Sequence, residues 1–139
     1  MIRNTKDSFD RKAKGEKLQK KLEDLLRKAY PQHADSIRST PMSAHGEDIQ
    51  ILTPEARQDI PFSFEAKYRK QGFGNTYTAY EQAARQEHAV SSALSNIPVA
   101  AIQQEGHDLL MVMHPEDWRK LAMAYVYVLQ NEKDFKWTL

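Results

Sequence analysis

The run Phe62-Ser63-Phe64-Glu65-Ala66-Lys67-Tyr68-Arg69 alternates apolar and polar residues without a break. A period of two is the signature of a strand, with Phe62, Phe64, Ala66 and Tyr68 on one face and Ser63, Glu65, Lys67 and Arg69 on the other. Such a strand leaves its backbone groups unpaired unless a neighbour accepts them, so a sheet is expected here. Asp48-Ile49-Gln50-Ile51-Leu52 alternates in the same way. It is the expected antiparallel neighbour, joined to the first run by the turn-rich stretch 53–61.

The remaining elements fall around this pair. Residues 1–14 show no apolar periodicity and predict a flexible basic arm. From Gly15, Leu18, Leu22, Leu25, Leu26 and Ala29 recur at helical spacing, and Tyr30-Pro31 closes that helix. An extended stretch is expected at 36–42. Gln71 to Asn75 predicts a loop, and Asn75 or Thr76 caps a helix running to about Leu94. Strands are expected at 97–102, buried on both faces, and at 108–113. A last helix begins at His114-Pro115-Glu116-Asp117, with Trp118, Leu121, Ala122, Tyr125 and Leu129 on its core or dimer face. The order is helix, three strands, helix, two strands, helix. The expected organisation is one domain over 15–130, with residues 131–139 as a C-terminal tail.

Composition narrows the chemistry. The chain has 139 residues and no cysteine, which removes disulfide scaffolds, thiol nucleophiles and Cys-ligated metal sites. No apolar run is long enough for a membrane span. The N-terminal residues lack the apolar core of a signal peptide, so a cytoplasmic protein is expected. The net charge of +1 conceals a segregation: ten of the 20 Lys and Arg lie in residues 1–30, against five of the 19 Asp and Glu. A basic N-terminal third on an acidic body is the arrangement that steers a polyanion, and it is also what a solvated helix behind a loose tail looks like.

Asp48, Glu65 and Lys67 carry the strongest chemical signal. Pairing of 48–52 with 62–69 sets Asp48 near Glu65, and alternation sets Lys67 beside Glu65. Two carboxylates at a strand end suit a hard divalent cation, which binds oxygen, keeps several waters and needs few protein ligands. A neighbouring lysine orients water or holds developing charge. Glu-x-Lys on an exposed face also reads as ordinary solvated surface. A glycine before the acid at the start of one strand, and a helix rich in Gln and Arg after the other, favour the chemical reading.

Gly46-Glu47-Asp48-Ile49 followed by Phe64-Glu65-Ala66-Lys67 resembles the signature of the PD-(D/E)xK nuclease superfamily, and most of all its archaeal and phage Holliday-junction resolvases and related phage endonucleases. The resemblance spans residues 15–130. It implies an α/β fold with a restriction-endonuclease-like core, α-β-β-β-α-β, and a mixed central sheet flanked by helices. It implies Mg²⁺, with Mn²⁺ as a substitute, held by Asp48, Glu65, the Ala66 carbonyl and Glu16 of the first helix. Lys67 and Gln82 complete the implied catalytic set, with Ser43 nearby. Two departures stand out. Glu47 replaces the proline of the signature and is a third acid able to compete with Asp48, and Glu23 is the other first-helix acid, read as a surface partner of Lys20 or Arg27.

Lys17, Lys20, Lys21, Arg69, Lys70 and Arg85 are the expected phosphate contacts, with Ser43. Gly72-Phe73-Gly74 is too short and wrongly placed for a nucleotide-binding turn, so no nucleotide cofactor is expected; a loop touching DNA is the functional alternative. His45 reads as a turn residue or a ligand beside the acids, and the other histidines lack zinc spacing. Phe135 and Trp137 are candidates for a partner contact or for a tail folded back. Three functions follow: a structure-selective, metal-dependent endonuclease acting on branched DNA as a homodimer, a restriction- or repair-type nuclease on linear duplex, and a non-catalytic DNA-binding module.

Overall fold

The computed structural model describes residues 5–41, 46–86 and 97–136. The expectations for Ser43 and His45, for the second helix beyond residue 86 and for Trp137 lie outside these residues. The chain is mixed α/β and divides into two compact units, Met1–Arg69 with Met123–Leu139, and Lys70–Ala122. Among the described residues no helix is long and apolar enough to cross a membrane.

The first unit opens with α1 (Thr5–Ala29). The expected arm over 1–14 is therefore helical from Thr5 onward. Its first turns hold no apolar stripe, but Lys6, Asp10 and Lys14 alternate in sign at i,i+4 spacing, which supports a solvated helix. The apolar stripe further along does bury: Leu26 is fully buried, with Ala29 and Tyr30 close behind. A short 3₁₀ helix, Pro31–Ser36, leads into β1 (Ile37–Ser39). β1 pairs antiparallel with β2 (Ile49–Ile51), with Ile37 opposite Ile51 and Ser39 opposite Ile49. Backbone bonds from Leu52 N–H to Ser36 O, 2.8 Å, and from Thr40 N–H to Asp48 O, 2.9 Å, extend the ladder at both ends. Gly46, at φ 113, turns the chain into β2 through a conformation that side chains rarely adopt.

The connection 53–61 is more than a turn. Thr53 accepts the Ala56 N–H with its hydroxyl at 3.2 Å, Pro54 follows, and α2 (Pro54–Asp59) forms. α2 contributes the buried Ala56, and Ile60 beyond it joins Leu26, Ile37 and Ile49 in the core.

The expected strand 62–69 forms no ladder. The segment keeps the alternation of exposure over 62–67, and the Phe62 and Phe64 rings lie 6.0 Å apart on one side. It is tied to the start of β2 by a backbone bond from Asp48 N–H to Phe64 O at 3.2 Å. The next rung is taken by a side chain, because Ala66 N–H donates to the Asp48 carboxylate rather than to a carbonyl. The first sheet is thus two-stranded, not the central mixed sheet expected.

In the second unit, α3 (Gly74–Ala84) packs on β3 (Val99–Ile102), which pairs antiparallel with β4 (Leu110–Met113). The turn closes with His107 N–H to Gln104 O at 3.0 Å, and Gly106 takes φ 82. β3 is not buried on both faces. Ala100 is buried and Ala101 exposed, as befits a two-stranded pair covered on one side. The last helix, α4 (Pro115–Asn131), buries Ala122 and Val126 while Leu121 stays exposed.

Tyr30 is a peculiarity of the first unit. It is 1 % exposed, and its hydroxyl finds no hydrogen-bond partner among the described residues. Burial, with Asp59 and Tyr125 nearby, pushes its pKa up to about 12. An orphaned hydroxyl carries its desolvation cost uncompensated. Tyr30→Phe is therefore expected to stabilise the fold by about 1 kcal/mol, read as a rise in the urea midpoint. A fall in the midpoint would mean that the hydroxyl has a partner.

Candidate catalytic site

Asp48 is the best-positioned acid of the expected set. Its carbonyl accepts from Thr40, its N–H donates to Phe64, and one carboxylate oxygen, Oδ2, accepts the Ala66 N–H at 2.6 Å. The last contact seats the carboxylate against the Glu65-Ala66-Lys67 triplet. It also leaves Oδ1 as the oxygen with capacity for a cation. Thr40 is itself buried, and its hydroxyl donates to the Glu47 carbonyl, so the strand end that carries Asp48 is held from within.

Glu65 and Lys67 stand on the outward side of the extended segment. The Lys67 ammonium lies 3.4 Å from a Glu65 carboxylate oxygen, with the two side chains 62 % and 72 % exposed. At that exposure the ion pair adds little to stability, and both groups are accessible to a ligand. On the other side of the segment, Lys14 of α1 places its ammonium 5.6 Å from the centroid of the Tyr68 ring.

Glu47 does not compete with Asp48. Arg57 donates to it at 2.9 Å and Ser63 at 3.0 Å, and the same guanidinium reaches the Phe62 carbonyl at 2.7 Å. The Arg57 and Ser63 hydrogen bonds hold its carboxyl below the usual range against a small cost of burial. Glu47 is thus spent on fastening α2 to the segment that carries Glu65. The two neighbouring acids thus have separate partners, Arg57 and Ser63 for Glu47 and the Ala66 N–H for Asp48.

The first-helix acids divide in a way the sequence did not disclose. Glu16 is exposed, and among the described residues no three His, Asp or Glu side chains gather as a metal-holding group. Glu23, expected on the surface, is 3 % exposed. It does pair with Lys20 at 3.2 Å and Arg27 at 2.7 Å, and it also accepts the Ser39 hydroxyl at 2.8 Å. Burial raises its pKa, but the Ser39 and Lys20 hydrogen bonds and the charges of Arg27 and Lys20 outweigh that and hold it low. The sequence signal was present as Lys20 and Arg27 at i−3 and i+4; what was missing was the strand residue that draws the acid inward.

The expected phosphate contacts are exposed: Lys17, Lys20 and Lys21 on α1, Arg69 at the end of the first unit, and Lys70 and Arg85 in the second. Gln82, the expected accessory residue, is exposed on α3. The structure therefore seats the Asp48 carboxylate on the Ala66 N–H, with the exposed Glu65–Lys67 pair flanking Ala66 in sequence. Carboxylates and a backbone carbonyl such as that of Ala66 are the oxygen donors a hydrated Mg²⁺ takes, and among the described residues no group of three acids or histidines gathers. Compared with known protein families, curated proteins and solved structures, the chain matches none of them.

Proposed function

We propose that this chain is a metal-dependent DNA endonuclease of the PD-(D/E)xK type, with a branched, four-way-junction-like substrate. The hydrogen bond from Ala66 N–H to Asp48, 2.6 Å long, carries the reading, because it joins an acid at a strand end to a Glu-x-Lys triplet distant in sequence. Asp48 and Glu65 would hold Mg²⁺ or Mn²⁺. The bound ion supplies a water of lowered pKa and charge neutralisation at a phosphodiester. Asp48 is fixed in place through Thr40, Phe64 and Ala66 and needs no reorganisation to meet a ligand. Lys67, next to Glu65, would orient the attacking water or hold charge on the phosphoryl oxygens. Lys17 and Lys21 on α1 supply phosphate contacts whose affinity falls as salt rises.

Acting symmetrically on a junction calls for a homodimer. A second reading, a non-catalytic DNA-binding module keeping the same fold, draws on the basic residues of α1. Incubating the wild-type protein with a four-way junction and a matched linear duplex in Mg²⁺ separates the readings. Junction cleavage supports the first; duplex cleavage alone transfers the activity to a repair-type nuclease. Salt-sensitive binding with every strand left intact selects the module.

A further inference from the structure

α3 presents an aromatic stripe that the site above does not use. Phe73, just before the helix, and Tyr77 and Tyr80 recur at spacings of four and three, so they share one side. Facing them are Val112 and Met113 at the end of β4, and His114 after it. With Thr76 and Pro115 these residues enclose a half-open cavity of about 290 Å³, entirely within the second unit. Tyr77 is 65 % exposed although its neighbours are rings and aliphatic side chains, so it is not filling a core.

The polar groups of the cavity are few and placed at its margins. His114 Nδ1 accepts the Glu116 N–H at 3.1 Å, so a neutral imidazole carries its hydrogen on Nε2. The hydroxyls of Thr76, Tyr77 and Tyr80 are the remaining candidates for hydrogen bonding. Flat apolar walls with a few edge donors and acceptors suit a ligand that has a π-face and a hydrogen-bonding rim. The volume lies at the small end of ligand pockets, enough for one ring system and little more. An aromatic side chain of a protein partner would use the walls but at most one of the margin groups.

We propose that this cavity takes a nucleobase, stacked against Tyr77. The inference rests on the nucleic-acid reading of Asp48, Glu65 and Lys67, and it sharpens the substrate to nucleic acid with unpaired bases. Inside a continuous duplex both faces of a base are covered, and extruding it costs energy that a branch point or single strand has already met. Stacking on an aromatic residue tolerates any base, which fits selection by structure rather than by sequence.

The test uses the full-length Glu65→Gln protein in EDTA, so that cleavage does not intrude. Binding is measured for a fluorescent ten-nucleotide single strand and for an abasic strand of the same length. The strand with bases is expected to bind about tenfold more tightly. Tyr77→Ala is expected to abolish that difference while leaving the affinity for the abasic strand unchanged. Titration with adenosine distinguishes sources: Tyr77-dependent saturation assigns the cavity to free nucleosides as well as strands, and no saturation assigns it to strands alone. Equal affinity for the two strands, undetectable binding of both, or a difference that survives Tyr77→Ala overturns the proposal. So does Tyr77-dependent binding of N-acetyltryptophanamide without any response to nucleosides or strands. Base-dependent binding in a protein that cuts nothing removes the nuclease and leaves the cavity standing; cleavage without base-dependent binding does the reverse.

Discussion

Glu65→Gln is expected to lower junction cleavage in Mg²⁺ by about a thousandfold or more while leaving the protein folded. Glu65 contributes almost nothing to the fold, since its side chain is 62 % exposed and its one ion pair, with Lys67, spans 3.4 Å in water. A loss of activity therefore reports on chemistry. Asp48→Asn is the companion variant. The amide oxygen can still accept the Ala66 N–H, so the local geometry survives while the negative charge is lost. Circular dichroism and denaturant midpoints close to wild type, together with cleavage reduced to the same floor, are the expected pair of results. Cleavage by both variants at the wild-type rate would place any activity elsewhere in the chain. Binding to the junction is expected to persist in both, because the proposed phosphate contacts are other residues.

The largest expected effect on stability belongs to Glu23→Ala. Removing the buried carboxylate leaves the Ser39 hydroxyl without its acceptor and a gap beside it, while Arg27, 40 % exposed, turns to water. About 2 kcal/mol of destabilisation is expected, measured as a shift in the urea midpoint. Glu23→Gln keeps an acceptor for Ser39 and should cost less. The pH dependence follows from the lowered pKa of the folded state. The unfolded chain binds the proton more readily, so the contribution is complete above the ordinary glutamate value of 4.5 and is lost as pH falls from there through the folded value. The acid limb of the stability curve should therefore flatten in Glu23→Gln. A limb of unchanged slope would mean that Glu23 is not the group responsible.

Periodicity carried much of the secondary structure. Leucine spacing located the packed half of α1, alternation located β2, and Pro115 marked the start of α4. The failures have separate local causes. The strand expected at 62–69 lost its ladder because Asp48 offers a carboxylate where a second rung would form. The helix α2 went unseen because Thr53 and Pro54 read equally well as a turn. Alternating charge at i,i+4 spacing, which leaves no apolar trace, suits the helical turns that carry α1 back to Thr5. The triplet and the distant aspartate were both legible; their meeting was not, since it depends on how 53–61 folds back. Glu23 was the least legible of all, because nothing local distinguishes an acid that will be buried from one that will not.

The contacts of α1 with β1 also work as a vernier. Glu23 and Arg27 are one helical turn apart, about 6 Å along the axis. Their partners, the Ser39 hydroxyl and the Ile37 carbonyl, are separated by a two-residue step, about 6.6 Å along a strand. The two scales agree only when helix and strand run in opposite directions and in this one alignment. A slip of β1 by a single residue would turn Ser39 away from Glu23 and carry Ile37 out of the core, so the polar pair and the apolar core fail together. The position of Asp48, bonded to Thr40 at the end of that same strand, is thereby indexed to the helix.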